Sequence, residues 1–496
     1  MAIETELKLH ITPENLARLK RHPFLRSLSC SRARTLKLYS IYYDTDDLSL
    51  RNHAMALRLR RVGRQFVQTL KGGGQVSAGL HQRNEWETPV TTEQLDFDAL
   101  KACGGLLPHG VSGRLQPVFI TDFSRNVRTL DYGGAQIEMC MDSGEIRAGQ
   151  SSCPISELEL ELKSGEPKQL FKLALALLDI VPLQVEHTSK AAYGYLLFTA
   201  SNPSASKGRF PPLHKTQTIT AVLQGLIGSC LGHVQSNVPG ALLKLDEEYL
   251  HQVRVGLRRL RVVLSIALRY QADDELLELR RQVAELCVDL GRSREWDVFV
   301  TQTLAAVCTR LPEHAGLREV LRLSERARKK QHTGMESSLA SQGFQRLLLR
   351  FGAWMQRDVA GDAAISLQQF ATKILKRRHK QVLKHGKQLA GENAAQLHVL
   401  RISCKKLRYS IEMLGSLFAE SKSKSYEEAL AELQEILGVL NDISVAHRLL
   451  NGLDNGARHD TLTLVRGWIE HDFSMRVAEF DKAWKRFVAQ QGFWGR

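Results

Sequence analysis

Charged residues recur at every second position in several short segments of the first 200 residues, each time alternating with apolar ones. ETELKL places Glu4, Glu6 and Lys8 on one strand face with Leu7 and Leu9 on the other. ALRLR does the same with Arg58 and Arg60, QTLKG ends on Lys71, and HQRNEWE holds Arg83, Glu85 and Glu87 in phase. QIEMCMD aligns Glu138, Cys140 and Asp142, and ELELEL aligns Glu157, Glu159 and Glu161. Carboxylate oxygens are the hard donors that Mg²⁺ or Mn²⁺ takes. Arginine binds phosphate oxygens through a planar fork and lysine as a point charge, and Arg125 and Lys190 add to this basic set. Such a mixture suits a metal-complexed tri- or polyphosphate.

One alternating strand commonly turns its charges to bulk water. Strand after strand with both signs of charge on one face predicts something else: an antiparallel β-barrel whose interior is wet and whose exterior is covered. The first 200 residues are therefore expected to form an α+β unit built on such a tunnel.

Beyond residue 200 the pattern changes. ASNPSASKGRFPPLHK is rich in Ser, Pro and Gly and predicts a linker over 201–214, between domains at 1–200 and 215–496. The net charge is +15, of which the first 200 residues hold only +2 and the remainder +13. From 215 onward, apolar residues recur at three- and four-residue steps and predict an all-helical bundle. The bundle repeats internally: HQVRVGLRRLR at 251–261 aligns with HVLRISCKKLR at 398–408, and LGRSREWDV at 290–298 aligns with LGVLNDISV at 437–445, both offset by 147 residues. On a helix, His251, Arg254, Arg258 and Arg261 share a face, as do His398, Arg401, Lys405 and Arg408. Arg259 and Lys406 fall off these faces. Two unpaired cationic stripes facing each other repel unless an anion bridges them.

Both halves resemble known families. ETELK matches the ExExK signature of CYTH domains, the triphosphate tunnel metalloenzymes, and LRLR, TLKG, GLHQRNEWE, DSGEI, CPISELELEL and TSKAAYGY follow in that family's order. Tyr193 stands where such relatives often carry a basic residue. The HxxR(V/I)xx(R/K)(R/K)LR repeats resemble the CHAD domain, a helical module associated with inorganic polyphosphate, with Asn441 where its repeats usually have arginine. The resemblance implies metal-dependent hydrolysis of triphosphate to phosphate and pyrophosphate, with a polyphosphate-binding C-terminal domain. In that scheme Lys8, Arg58, Arg60, Lys71, Arg125 and Lys190 hold the substrate, with Arg83, Glu85 and Glu87 also at the binding site. Glu159 and Glu161 hold one Mg²⁺ or Mn²⁺, a second lies near Glu4 and Glu6, and Asp142 and Glu157 complete the acidic set. His251, Arg254, Arg258, Arg261, His398, Arg401, Lys405 and Arg408 hold polyphosphate. A class IV-type adenylate cyclase, a thiamine triphosphatase and a non-catalytic polyphosphate-binding protein are the alternatives.

Other classes fit less well. Eight cysteines without metal-ligand spacing read as reduced thiols of a cytoplasmic chain, and no signal pattern or apolar run long enough to span a membrane occurs. His251 and His398 each lack a second His or Cys four residues on, against zinc. Aromatics are 7% of the chain with none interleaved in the basic stripes, against a base-stacking nucleic-acid platform. The terminal WKRFVAQQGFWGR is expected to cap a bundle, the alternative being a partner contact.

Overall fold

A computed structural model describes residues 2–200, 204–357, 365–389, 393–453 and 459–495. Residues 201–203 of the expected linker lie outside these, and 204–214 carry neither helix nor strand. The chain forms two compact units, Met1–Ser206 with Ser341–Asp358, and Lys207–Ala340 with Val359–Arg496.

The first unit is a closed antiparallel barrel of eight strands: β1 (Ala2–His10), β2 (Arg34–Asp44), β3 (Met55–Val62), β4 (Gln65–Ser77), β5 (Leu80–Val90), β6 (Gln116–Tyr132), β7 (Ala135–Ala148) and β8 (Ser151–Ser164). They run in the order β5-β4-β3-β2-β6-β7-β8-β1, and pairing of β1 with β5 shuts the ring. The inverted alternation of β1 now has its cause. Leu7 and Leu9 point outward into an apolar layer with Leu158 and Leu160 of β8 and Met139 and Met141 of β7, while their charged neighbours point in.

Helices cover that outer layer. Leu170, Phe171, Leu173, Ala174 and Leu177 of α1 (Lys168–Leu178) bury their side chains on it. Helix α2 (Lys190–Thr199) belongs to a second cluster, in which Tyr195 meets Phe119 edge-on at 5.1 Å. A Cβ on Gly194 would lie 2.2 Å from the Phe119 ring, so only glycine lets α2 approach this closely. The Tyr195 hydroxyl donates to Asp44 at 2.7 Å, and the same buried carboxylate accepts from the backbone N–H of Leu50 and Arg51. This explains the spacing in TSKAAYGY: Ser189 caps the helix by accepting from Ala192 N–H at 3.2 Å, and Lys190 begins it.

The second unit holds α3 (Ile219–Leu242), α4 (Glu247–Tyr270), α5 (Asp274–Val298), α6 (Ala315–Ala340), α8 (Leu367–Lys387), α9 (Ala394–Leu414), α10 (Glu420–Asn451) and α11 (His459–Val488). Between α6 and α8, helix α7 (Gln342–Met355) belongs to the barrel unit. Leu349 is fully buried in the outer layer beside Phe171, and a Cβ on Gly352 would meet the Phe171 ring at 2.0 Å. The side-chain carbonyls of Gln342 and Gln345 accept from the N–H of Leu183 and Val185, at 3.2 and 2.9 Å. The helical pattern of 342–355 is legible in sequence, but its attachment to the barrel is not.

In the second unit the expected apolar faces are the buried ones: Val253, Leu257, Leu260 and Leu264 on α4, and Leu400, Cys404, Leu407 and Ile411 on α9. Asp246 and Asn393 cap these two helices at their N-termini. The C-terminal segment does cap its bundle. Phe487, Phe493 and Trp494 are buried around Tyr426, whose ring meets that of Trp494 edge-on at 5.2 Å.

Candidate functional sites: a tunnel and a groove

The register of the barrel fixes which charges meet. Across β1 and β8, Glu6 faces Glu161 and Lys8 faces Glu159; across β1 and β5, Glu4 faces Arg83. Asp142 on β7 faces Glu157 on one side and Arg125 on the other. Opposed residues of neighbouring strands share a face, so these side chains converge inside the ring. Lys8, Arg58, Arg60, Lys71, Arg83, Arg125 and Lys190 line the tunnel with Glu4, Glu6 and Glu159.

Nearly every cation there is matched. Lys8 bonds Glu159 and lies 3.1 Å from Glu6, and Lys71 bonds Glu4 and lies 3.3 Å from Glu85. Arg125 grips Asp142 by a two-pronged contact at 2.8 and 2.6 Å and also reaches Glu159. Lys190 bonds Glu157, Asp142 at 2.7 Å and Glu159 at 3.1 Å. Arg60 and Arg83 are the exceptions, neither with a carboxylate within ion-pair distance among the described residues. Arg60 donates to the Ser40 hydroxyl at 3.1 Å and lies over the Phe123 ring.

Protonation follows from these pairings. Burial opposes charge on Glu159, yet Lys190, Lys8 and Arg125 together hold its carboxyl well below the usual range. Burial, with Glu159 and Asp142 nearby, pushes Glu157 up to about 7 despite Lys190. Burial and the neighbouring Arg58 and Arg125 disfavour charge on Arg60, which lowers its pKa. Asp142, Glu157 and Glu159 offer carboxylate oxygens within 4.8 Å of one another, a donor set that fits a hard divalent cation.

Some expected residues stand elsewhere. Glu161 bonds Lys163 at 2.6 Å at one end of the barrel, with Glu138 and Glu6 beside it. Glu85 is half-buried beside Arg58 and Lys71, and Glu87 is exposed, accepting from Thr69. Two polar residues of the tunnel lining, Tyr42 and Ser189, and His81 across the strand pair from Glu6 went unread in the sequence. Tyr42, in a run of aromatics, lines the tunnel, where Arg58 and Arg60 outweigh burial and lower its pKa. His81 faces Glu6 in the same phase as Arg83, the signal that was available, and burial beside Lys8 keeps its ring neutral. Ser189 lines the tunnel beside Lys190. Tyr193, the departure from the basic residue, donates to Glu186 at 3.1 Å.

The second unit holds a larger site. A groove of about 850 Å³ lies between the two repeats, with His251, Arg254 and Arg258 of α4 on one side and His398, Arg401 and Lys405 of α9 on the other. It continues into a space of about 560 Å³ that adds Arg261, Arg280 and Lys406. Arg294 and Arg448, not singled out in the sequence, complete the first part. Only Glu295 and Asp442 supply negative charge in its lining, and Glu295 already pairs with Arg448 at 2.9 Å. The side-chain oxygen of Asn441 accepts from His398 Nδ1 at 2.7 Å and so orients that ring.

Crowding shows in the titration of the groove. Burial, then Arg258 and Arg401, push Lys405 down to about 6, and burial lowers Arg401, whose buried Nε has no hydrogen-bond partner among the described residues. Burial with Arg258 and Arg294 lowers Arg254, which donates to the carbonyls of Leu290 and Gly291 at 2.6 and 3.2 Å. Arg408 is not brought to the groove: it is exposed and bonds Glu412 at 3.1 Å, which also holds Arg259. Lys406, placed off the basic face by helical phase, does reach the groove, because its space wraps past α9.

The comparisons with known proteins agree with this division. The CYTH domain model matches residues 2–195 and the CHAD domain model residues 225–451. An inorganic triphosphatase of Haemophilus influenzae is 36% identical over 199 residues, 40% of this chain and 55% of that protein. The chain thus spans about half the length of that relative. An uncharacterized protein of Mycobacterium tuberculosis (strain H37Rv) is 25% identical over 461 residues, 86% of this chain and 85% of its own. The crystal structure of the CHAD domain from the plant Ricinus communis is 29% identical with a TM-score of 0.52, covering 58% of this chain and 98% of that one. No described helix is long and apolar enough to cross a membrane.

Proposed function

We propose that the tunnel hydrolyses inorganic triphosphate while the groove binds polyphosphate, a reading supported by the match of residues 2–195 to the CYTH domain and of residues 225–451 to the CHAD domain. The observation that carries the first half is the convergence of Lys8, Arg58, Arg60, Lys71, Arg125 and Lys190 inside one closed barrel, interleaved with carboxylates. The Haemophilus relative, an inorganic triphosphatase, matches over this unit.

The cavity between the tunnel side chains is about 70 Å³, because the ion pairs reach across it. Three phosphates enter only as those pairs exchange. Lys8, Lys71, Arg125 and Lys190 give up carboxylate oxygens for phosphate oxygens, and Arg60, already without a carboxylate, receives the first charge. Each exchange frees a carboxylate that needs a new cation. Asp142, Glu157 and Glu159, with Glu4 and Glu6 near a second position, would hold the divalent ions, Mg²⁺ or Mn²⁺, that CYTH tunnel enzymes require. When bound, such an ion neutralises phosphate oxygens and acidifies the attacking water. The cations of the wall then take up the charge that moves onto the leaving pyrophosphate as water adds to the terminal phosphorus. Positioning and charge carry phosphoryl transfer, so no protein nucleophile is needed.

In the groove, the crowding of Arg254, Arg258, Arg401 and Lys405 supports an anionic ligand, and a chain of phosphates matches a row of cations along two helices. The test is an assay of purified protein with Mg²⁺ or Mn²⁺, offered triphosphate, ATP, thiamine triphosphate and long polyphosphate, with phosphate and cyclic AMP both measured. Triphosphate should turn over fastest and only with metal. Cyclic AMP as the main product, or full activity in chelator, defeats the reading.

A further inference from the structure

Helix α8 carries Lys373, Lys376, Arg377, Arg378, Lys380, Lys384 and Lys387 and no acidic residue. Lys373, Arg377, Lys380, Lys384 and Lys387 fall within an arc of about 80° at 100° per residue, along roughly 21 Å of helix axis. Lys373, Lys380, Lys384 and Lys387 are exposed, and none of these five cations has a carboxylate within ion-pair distance among the described residues. A lone basic stripe is ordinarily a solvated helix face. This one has a physical link to the groove. Arg378, on the inner side of α8, donates to the hydroxyl of Ser265 at 2.8 Å, and Ser265 lines the groove's continuation. Lys406, also in that lining, feels Arg378, Arg261 and Arg280 as like charges, and Arg378 in turn feels Arg377 and Arg269. The cations therefore form one row, from the groove through Lys406 and Arg378 to Arg377 and the outer face of α8.

We propose that α8 is an extension of the groove's anion site, so that a long polyphosphate chain fills the groove and runs on along the Lys373–Lys387 stripe, while a short chain fills the groove alone. The inference rests on the polyphosphate reading of the groove. Its consequence is selection by chain length: each added phosphate past the groove's end meets another unpaired cation.

The test uses the full chain in EDTA, so that the tunnel does not consume the ligand, with short-chain and long-chain polyphosphate as separate probes. One variant combines Lys373→Gln, Lys380→Gln and Lys384→Gln, three exposed positions whose change leaves folding intact. A second, Arg401→Gln with Lys405→Gln, disables the groove. The stripe variant should lose about tenfold in affinity for the long chain, with its salt slope reduced by about two, and bind the short chain as wild type does. Equal loss for both lengths, or none for the long chain, overturns the extension. Loss of RNA binding without loss of long-chain polyphosphate binding also overturns it, since the stripe then serves nucleic acid. If the groove variant keeps full short-chain affinity, the groove reading fails instead, whatever the stripe does.

Discussion

The two proposed anion sites hold their cations in opposite ways. In the tunnel, Lys8, Lys71, Arg125 and Lys190 each touch a carboxylate, and binding must break those contacts. In the groove, Arg254, Arg258, Arg401 and Lys405 crowd one another with few acids among them. The tunnel is electrically balanced and narrow; the groove is overcharged and open. Balance suits catalysis, because a site that exchanges partners can release its product. Excess charge suits retention, because an anion relieves repulsion that is present without it.

The largest effect should come from upsetting the tunnel's balance. Glu159 is the hub shared by Lys8, Arg125 and Lys190, so Glu159→Gln should lower triphosphate turnover by about a thousandfold, measured as metal-dependent phosphate release. Long-polyphosphate affinity in the groove should stay within twofold. A parallel loss in both assays breaks the division between the sites.

Salt should separate them next. If six or more cations meet phosphates in the groove, raising salt from 50 to 200 mM should cost polyphosphate affinity about a thousandfold. The buried pairs of the tunnel are shielded from mobile ions, and the KM for triphosphate should move far less. Matching salt slopes would mean that both sites work by excess charge.

A subtler contrast is in protons. Lys405, pushed down to about 6, is largely neutral at pH 7.5 in the free protein, and an anion in the groove restores its charge. Polyphosphate binding at pH 7.5 should therefore take up close to one proton, read by calorimetry in buffers of different ionisation enthalpy. Affinity should fall as pH rises above about 6. The sign for stability is the reverse: the unfolded chain binds this proton up to the ordinary lysine range, so stability of the free protein rises with pH from about 6 upward. Lys405→Arg should abolish the uptake while keeping the affinity.

How much of this was readable in the sequence depends on the range of the interaction. Alternation in β1, β3 and β8 and the 147-residue repeat are local patterns, and residues they single out, Glu6, Arg58, Glu159, Arg254 and Arg401, line the tunnel and the groove. Tyr42 was missed because an aromatic in a strand reads as core until the barrel's curvature decides which face is wet. Arg448 was missed because it has no basic counterpart in the other repeat; Thr301 stands there. Arg408 has the right phase but sits one turn too far along α9, where Glu412 takes it. The docking of α7 on Phe171 was invisible, since an amphipathic helix does not state which apolar surface it will cover.

That docking affects how the protein is made. Phe171 leaves the ribosome well before Leu349, and at roughly 5–20 residues per second the delay is on the order of ten to thirty seconds. During that time the barrel's outer layer lacks the helix that finishes it, and all of α3 to α6 emerges in between. The nascent barrel must wait with apolar surface open to water, a period in which a chaperone has something to hold. A stop or frameshift after residue 185 and before residue 342 leaves a complete set of strands that still cannot close its own coat.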